Sequence, residues 1–192
     1  MEFIEFQKQQ IAFSDNKHEG IPVVFIHGYC EDQTMWDEFS EPFDIDYRLI
    51  KIDLPGFGLS EIKKSISIKE MADTVIAVLK HLKIKKYILI GHSMGGYVSL
   101  EIAKKEHQNL LGFCLFHSHP FEDSADVKKK RLKAVDFIEE IGQEIYVKQL
   151  IPRLFKPDFN KSNDYLVAKL VYQASRGPVS YTHLTLPTIC SV

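Results

Sequence analysis

The sequence predicts an α/β fold with a mainly parallel sheet, and three observations carry that prediction. Short apolar runs at 22–26, 48–52, 86–90 and 110–116 alternate with stretches whose apolar residues recur at helical spacing. Such runs suit strands covered on both faces. Ser67 with Glu70 three residues on forms a capping box that opens one of the helices. Gly91-His92-Ser93-Met94-Gly95 then joins a strand directly to a helix, fitting G-x-S-x-G, a tight turn that lifts a serine clear of the sheet edge.

In chain order, Phe3 to Phe6 and Gln10 to Phe13 read as an antiparallel pair at the start of the sheet. Pro22 to Ile26 is a buried strand running into His27-Gly28-Tyr29, at the rim where open parallel sheets keep their ligand sites. Met35, Trp36, Phe39 and Phe43 recur at helical spacing over 34–43, and Arg48 to Ile52 supplies the next strand. The proline and two glycines of Asp53-Leu54-Pro55-Gly56-Phe57-Gly58-Leu59-Ser60 stop that strand and set a turn. Ile68, Met71, Val75, Val78, Leu79 and Leu82 form one helix face, which returns the chain to the 86–90 strand by a right-handed crossover. Tyr97, Leu100, Ile102 and Ala103 pattern the helix after Ser93, and Leu110 to Phe116 reads as a further buried strand. From 125 to 175 only helical patterns follow, broken by Gly142, Pro152 and Pro157. The organisation expected is a core over 1–124 and an incomplete helical cap over 125–177.

At 192 residues with 45% hydrophobic content, the chain is one domain's worth, able to bury about 70% of its unfolded surface. A net charge of -2, from 24 basic and 26 acidic residues, excludes the electrostatic footprint of a nucleic-acid binder, and Lys128 to Lys133 reads as a solvated helix face. The amino-terminal MEFIEFQKQQ has no basic leader followed by an apolar stretch, and no apolar run approaches the ~20 residues that span a bilayer. A cytoplasmic protein with a small-molecule partner is expected, without nucleic acid or membrane. Cys30, Cys114 and Cys190 lack metal-ligand spacing and leave an odd thiol, so they read as free, buried cysteines, with no metal site. From Val179, VSYTHLTLPT resembles the translation of a transposon-end sequencing adapter. Residues 178–192 are therefore read as non-native read-through and left out of the fold argument, with His183 and Cys190 carrying no functional information.

In the G-x-S-x-G turn, Ser93 is the candidate nucleophile and the Met94 backbone N–H one candidate oxyanion donor. Gly91 and Gly95, lacking Cβ atoms, let strand and helix approach. A bare motif also describes an ordinary glycine-rich turn, and the flanking strand and helix decide against that reading. His92 precedes Ser93 at a sharp turn and reads as a packing residue, not the base.

With HGY at 27–29, DLPGFGLS at 53–60 and GHSMGG at 91–96, residues 1 to about 176 resemble the α/β-hydrolase superfamily. They look most like its small group of enol-lactonases, cofactor-free haloperoxidases, carboxylesterases and C–C bond hydrolases. The resemblance implies a second oxyanion donor at the Tyr29 N–H, a loop shaped by His27 and Gly28, and Trp36 packed behind it. Asp53 takes a structural turn position. The superfamily orders its triad as Ser, then Asp or Glu, then His. No G-x-x-D after a strand and no native histidine beyond His119 is present to complete it, so the last strands and helix are expected to be missing. Asp123 and Glu122 read as solvating residues of the cap's first loop. Trp36, Phe57, His117 and His119 are candidate pocket residues, although the aromatics serve equally well as core. The implied function is a serine hydrolase of small apolar esters, lactones or related acyl compounds, working through an acyl-enzyme without a cofactor. The alternative is a non-catalytic ligand-binding protein on the same fold. The 192 residues as written are expected to be inactive and to expose the 110–116 strand as a sticky edge.

Overall fold

The computed structural model describes residues 1–62 and 66–175. The adapter-like segment, with His183 and Cys190, lies outside the described residues. Strands β1 (Glu2–Phe6) and β2 (Gln9–Asp15) pair antiparallel. Gln7 and Lys8 both take positive φ, 51° and 63°, as a two-residue hairpin turn requires. β2 then pairs antiparallel with β4 (Arg48–Ile52), and β4, β3 (Pro22–Ile26), β5 (Tyr87–His92) and β6 (Leu110–Phe116) run parallel, giving the order β1-β2-β4-β3-β5-β6. At the join between the two modes, the Arg48 guanidinium grips Asp15 with Nε–Oδ1 3.0 Å and Nη2–Oδ2 2.6 Å.

Burial explains why the central strand is apolar throughout. Val24 and Ile26 of β3 belong to the core shared with helices α2 (Ile68–His81) and α3 (Met94–Glu106). Val23 and Phe25 face the other way, onto Trp36. The α2 start follows its sequence signal: Ser67 Oγ accepts from the Glu70 N–H at 3.2 Å and the Glu70 carboxylate accepts from the Ser67 N–H at 2.9 Å. Such a cap contributes about 1 kcal/mol.

One element differs from its sequence expectation. The 34–43 stretch is not one helix but a 3₁₀ turn (Gln33–Trp36), a single α turn α1 (Asp37–Ser40) and a second 3₁₀ turn (Glu41–Phe43). Pro42 has no N–H to continue an α-helical ladder, while Asp32 caps the first turn by accepting from the Thr34 N–H at 2.9 Å. β6 is an edge, as expected for these 192 residues. Among the described residues only β5 pairs with it, and Leu111 and Phe113 are 54% and 48% exposed. The cysteine expectation changes with it, since Cys30 is buried but Cys114 on β6 is exposed.

The cap consists of α4 (Ala125–Ile141), α5 (Gln143–Arg153), α6 (Pro157–Ser162) and α7 (Asp164–Ser175). Gly142, at φ 101°, separates the first two and Pro157 opens the third, whereas Pro152 sits inside the last turn of α5 instead of breaking it. Ile138, Val147, Ile151, Val167 and Ala174 form the cap's own core, and Cys30 of the sheet rim is buried among them. Among the described residues no helix is long and apolar enough to cross a membrane.

An unpaired apolar edge is a template for pairing with other chains. Phe113→Lys together with Leu111→Lys is expected to shift the size distribution in light scattering toward monomer without lowering the melting temperature. An unchanged, concentration-dependent distribution in this variant would place self-association elsewhere.

Candidate active site

The turn between β5 and α3 is held open by backbone strain. Ser93 adopts φ 48° and ψ −111°, a conformation that non-glycine residues rarely accept. Its N–H donates to the Phe116 carbonyl at 3.1 Å, and its own carbonyl accepts from the Gly96 N–H at 3.0 Å and the Ser118 hydroxyl at 2.8 Å. A Cβ on Gly95 would lie 2.3 Å from the Ile26 carbonyl oxygen, and one on Gly91 the same 2.3 Å from that of Gly95. Both obstacles are backbone, so only glycine fits. Ser93 occupies the N-cap position of α3 but makes no side-chain capping bond, so its hydroxyl is not engaged by the helix. The Met94 amide belongs to the first turn, where N–H groups have no intrahelical acceptor.

The facing loop is fixed from below. His27 is fully buried, and its Nε2 accepts from the Leu54 N–H at 2.9 Å, which leaves Nδ1 to donate to the Gly28 carbonyl at 2.7 Å. Burial pulls the His27 pKa below its ordinary value, so the ring is neutral. Asp53 braces the turn beside it, accepting from the Gln33 N–H at 2.8 Å and the Leu59 N–H at 2.9 Å. Trp36 and Phe57, expected as pocket residues, are each 1% exposed and do not line the cavity around Ser93. Their rings fill the space behind the loop: Trp36 packs on Phe25 at 5.2 Å between centroids, and Phe57 meets His27 edge-on at 5.3 Å.

Glu31 was not singled out by the sequence reading, yet it ties this loop to the elbow. Its Oε2 accepts from the Gly28 N–H at 2.7 Å and lies 2.7 Å from His92 Nδ1. His92 is therefore more than the packing residue expected. Its ring does pack on Phe116 and Trp36, at 6.0 and 6.4 Å, but it also bonds Glu31 and lines the cavity beside Ser93. A sequence signal did exist. A carboxylate three residues after a turn amide can reach back to it, as in a capping box.

Ser93, Met94, Tyr29 and His117 line one cavity of about 600 Å³, roofed by α4 and α5 of the cap. His117 takes φ 48° as the chain leaves β6, and its ring lies 6.2 Å from that of His92. His119 falls outside the cavity, its Nε2 3.3 Å from the Tyr97 hydroxyl and its ring stacked on Phe121. Among the described residues no imidazole is hydrogen-bonded to the Ser93 hydroxyl. Two further expectations are corrected here. Asp123 is not solvated: its side chain is 5% exposed and accepts from Arg131 Nε at 2.7 Å. The 128–133 segment is not a uniformly solvated face either. Lys128 pairs with Glu122 at the surface, but Lys130 and Arg131 line the cavity.

Comparison with known proteins places this geometry. The profile of the alpha/beta hydrolase fold matches residues 21–137, more than half of the chain. The chain belongs to the alpha/beta hydrolase fold family. Within that family it is similar to a thermophilic esterase from Thermogutta terrifontis, with TM-score 0.82 and 30% identity over 92% of this chain and 66% of that one. It is 31% identical over 127 residues to 2-succinyl-6-hydroxy-2,4-cyclohexadiene-1-carboxylate synthase of Escherichia coli, covering 65% of this chain and 50% of that protein. It is also 40% identical over 103 residues to the dihydrolipoyllysine-residue acetyltransferase component of the acetoin cleaving system of Pseudomonas putida, covering 52% of this chain and 27% of that protein. The chain thus spans half or less of the length of these curated relatives.

Two outcomes follow from the loop geometry. A Cβ at Gly28 would sit 2.6 Å from Glu31 Oε2, 2.8 Å from His92 Nδ1 and 3.2 Å from Ser93 Cβ. The first two are ends of side chains that can move, so Gly28→Val is expected to fold but displace Glu31 and His92. Covalent labelling of Ser93 should slow at least tenfold in this variant while its melting temperature moves by only a few degrees. Unchanged labelling would show that the loop does not wall the site.

The second outcome concerns pH. In the unfolded chain His27 titrates near the ordinary imidazole value of 6.5 and in the folded chain lower, so protons bind the unfolded chain preferentially as pH falls below 6.5. The stability contribution is complete above that value and is lost as pH falls toward the folded pKa, at up to about 1.4 kcal/mol per pH unit. Urea denaturation from pH 8 to pH 5 should show this loss, and His27→Gln should flatten it at a lower overall stability. Parallel pH profiles for the two proteins would mean that His27 is not held neutral.

Proposed function

We propose that the protein is a serine hydrolase of small, largely apolar esters, lactones or related acyl compounds, acting through an acyl-enzyme. The observation that carries this reading is Ser93, strained at φ 48° on the elbow, with its hydroxyl not engaged by the helix and opening on the cavity beneath the cap. A structural turn gains nothing from such strain, whereas a nucleophile gains access.

In this mechanism Ser93 Oγ attacks the acyl carbon and the carbonyl oxygen becomes an oxyanion. The Met94 N–H and the Tyr29 N–H are the assigned donors to that oxyanion. Collapse expels the alkoxide or the lactone's ring oxygen, and water then hydrolyses the acyl-enzyme. Serine is a weak nucleophile without a proton acceptor, so the reading assigns a histidine, with an acid to orient it, to sequence following the cap, in the family's order. Ile68 and Met71 of α2 and Leu150 of α5 make much of the cavity wall apolar, which supports an uncharged acyl body. The esterase relative supports ester chemistry. The synthase relative shows that the scaffold carries other names as well, so the covalent step is what needs testing.

In the full-length protein, a fluorophosphonate probe is expected to label Ser93, and Ser93→Ala should abolish labelling and lower p-nitrophenyl acetate turnover by about a thousandfold or more. Equal turnover by the alanine variant would overturn the nucleophile assignment. Absence of labelling in a folded wild type would favour a non-catalytic binding protein.

A further inference from the structure

We infer that Tyr97 is a positioning residue of the site: its phenol ties the first cap helix to the nucleophile helix, and so sets how closely α4 is held over Ser93 and how bulky an acyl group the cavity admits. The tie is a matter of structure, and its consequence for turnover rests on the reading of Ser93 as the reacting group.

Tyr97 follows Ser93 by about one turn of α3, belongs to the core shared with α2, and lines the cavity that holds Ser93. Two partners meet its hydroxyl. His119 Nε2 lies 3.3 Å away, with the imidazole edge-on to the phenol ring at 5.7 Å between centroids. Burial raises the phenol's pKa, and Arg131 of α4, within hydrogen-bonding reach of the same oxygen, opposes that rise by donation and charge. A phenol oxygen can accept from a guanidinium and still donate its own proton, here to the imidazole nitrogen. Tyr97 thus joins three segments: the nucleophile helix, the strap 117–124 that leads from β6 into the cap, and α4 itself.

The packing of α4 makes that join matter. Apart from its neighbour α5, no helix or strand among the described residues packs extensively on α4, and the side chain it buries, Ile138, goes into the cap's own core. Its N-terminal half is held by polar bonds instead. Asp123, 5% exposed on its side chain, grips Arg131 with Nε–Oδ2 2.7 Å, Glu122 pairs with Lys128, and Ser124 accepts from the Val127 N–H at 3.3 Å. All three partners lie on the strap, so they fix α4 to the strap and not to the core. The strap is in turn fastened at the elbow, where the Ser118 hydroxyl donates to the Ser93 carbonyl at 2.8 Å and a Cβ on Gly96 would come 2.3 Å from Ser118 Oγ. Between the two fastenings Pro120 fixes one φ and restricts His119 before it. The Tyr97 hydroxyl closes the circuit from α4 back to α3; without it Arg131 keeps Asp123 and loses that tie. Because α3 lines the cavity with Met94 and Tyr97 and α4 with Val127, Arg131 and Ala134, the separation of the two helices is one of its dimensions.

Tyr97→Phe keeps the ring and removes only the oxygen. In the full-length protein, amide hydrogen exchange over 125–141 is expected to speed up at least tenfold in this variant while α2 keeps its protection. Turnover should change with acyl length: kcat/KM for p-nitrophenyl hexanoate rises severalfold relative to the acetate, through KM. The pair Arg131→Gln with Asp123→Asn removes the cap's half of the tie without stranding a buried carboxylate, and should reproduce both changes. Adding Tyr97→Phe to that pair should change little further, since the groups act through one bond. Unchanged exchange over α4 in Tyr97→Phe, a uniform loss across the two esters, or additive effects in the triple variant would overturn the proposal. If α4 exchange responds as expected while wild-type Ser93 resists fluorophosphonate, the hydrolase reading fails and the tie stands. Labelled Ser93 with α4 exchange unmoved gives the converse.

Discussion

The structure depends on one close approach, that of the start of α3 to the end of β3. Gly95 lies against the Ile26 and His27 carbonyls so closely that a methyl group there would sit 2.3 Å from one and 2.6 Å from the other. This contact sets the helix over the sheet, and the strand-to-helix reversal it demands leaves Ser93 at φ 48°. A conformation of this kind costs on the order of 1–3 kcal/mol and survives only where its surroundings over-determine it. They do so here. The Ser93 N–H and carbonyl are both bonded, through Phe116, Gly96 and Ser118, so the backbone is pinned while the side chain is left out of the network.

The same contact couples the elbow to the loop facing it. Because β3 ends at Ile26, the residues that flank Gly95 lead straight into Gly28 and Tyr29. The loop is braced twice: from beneath by His27 on the Leu54 amide, and laterally by Glu31 on the Gly28 amide. Above, Tyr29 packs against both the sheet core and the cap core, and Cys30 is buried within the latter. Cap, loop and elbow therefore share residues, and a change in cap packing reaches Ser93 through a single turn of chain.

Much of this was legible in the sequence because local chemistry and tertiary packing agree. The runs at 22–26, 48–52 and 110–116 are strands with those bounds, and the Ser67–Glu70 box starts α2 where the pattern places it. Agreement failed where an element's environment, not its own pattern, decides the outcome. LLGFCLF is as apolar as β3, so its own residues do not mark it as marginal; the edge is foreseen only from the family's order of elements, while the exposure of Cys114 that comes with it is not. The helical spacing over 34–43 was real in what it buried, since Trp36 is in the core, but Pro42 split the helix. The missed site residues fail for a related reason. Glu31, Asp123 and Arg131 look like solvated charges in a sequence that is 26% charged. Their meaning lies in partners: His92 is 61 positions from Glu31. Spacing along the chain cannot supply that pairing.

Two of those residues, Glu31 and Arg131, share a feature that bears on how the cavity works. Each is a charged group entering apolar space with a partner that fixes its direction: Glu31 through the Gly28 amide, and Arg131 through a nearly inaccessible Asp123. A charge on a free side chain would fold back toward water and lose rotamer entropy again on meeting a ligand. Held in advance, it contributes both direction and field at little further cost. Ser93 obeys the same logic by a different route, since its backbone strain does for a hydroxyl what Asp123 does for a guanidinium. The polar groups around the cavity are thus set by the folded chain before any ligand arrives, while the apolar wall between them, drawn from α2, α4 and α5, is the part left to accommodate the shape of what binds.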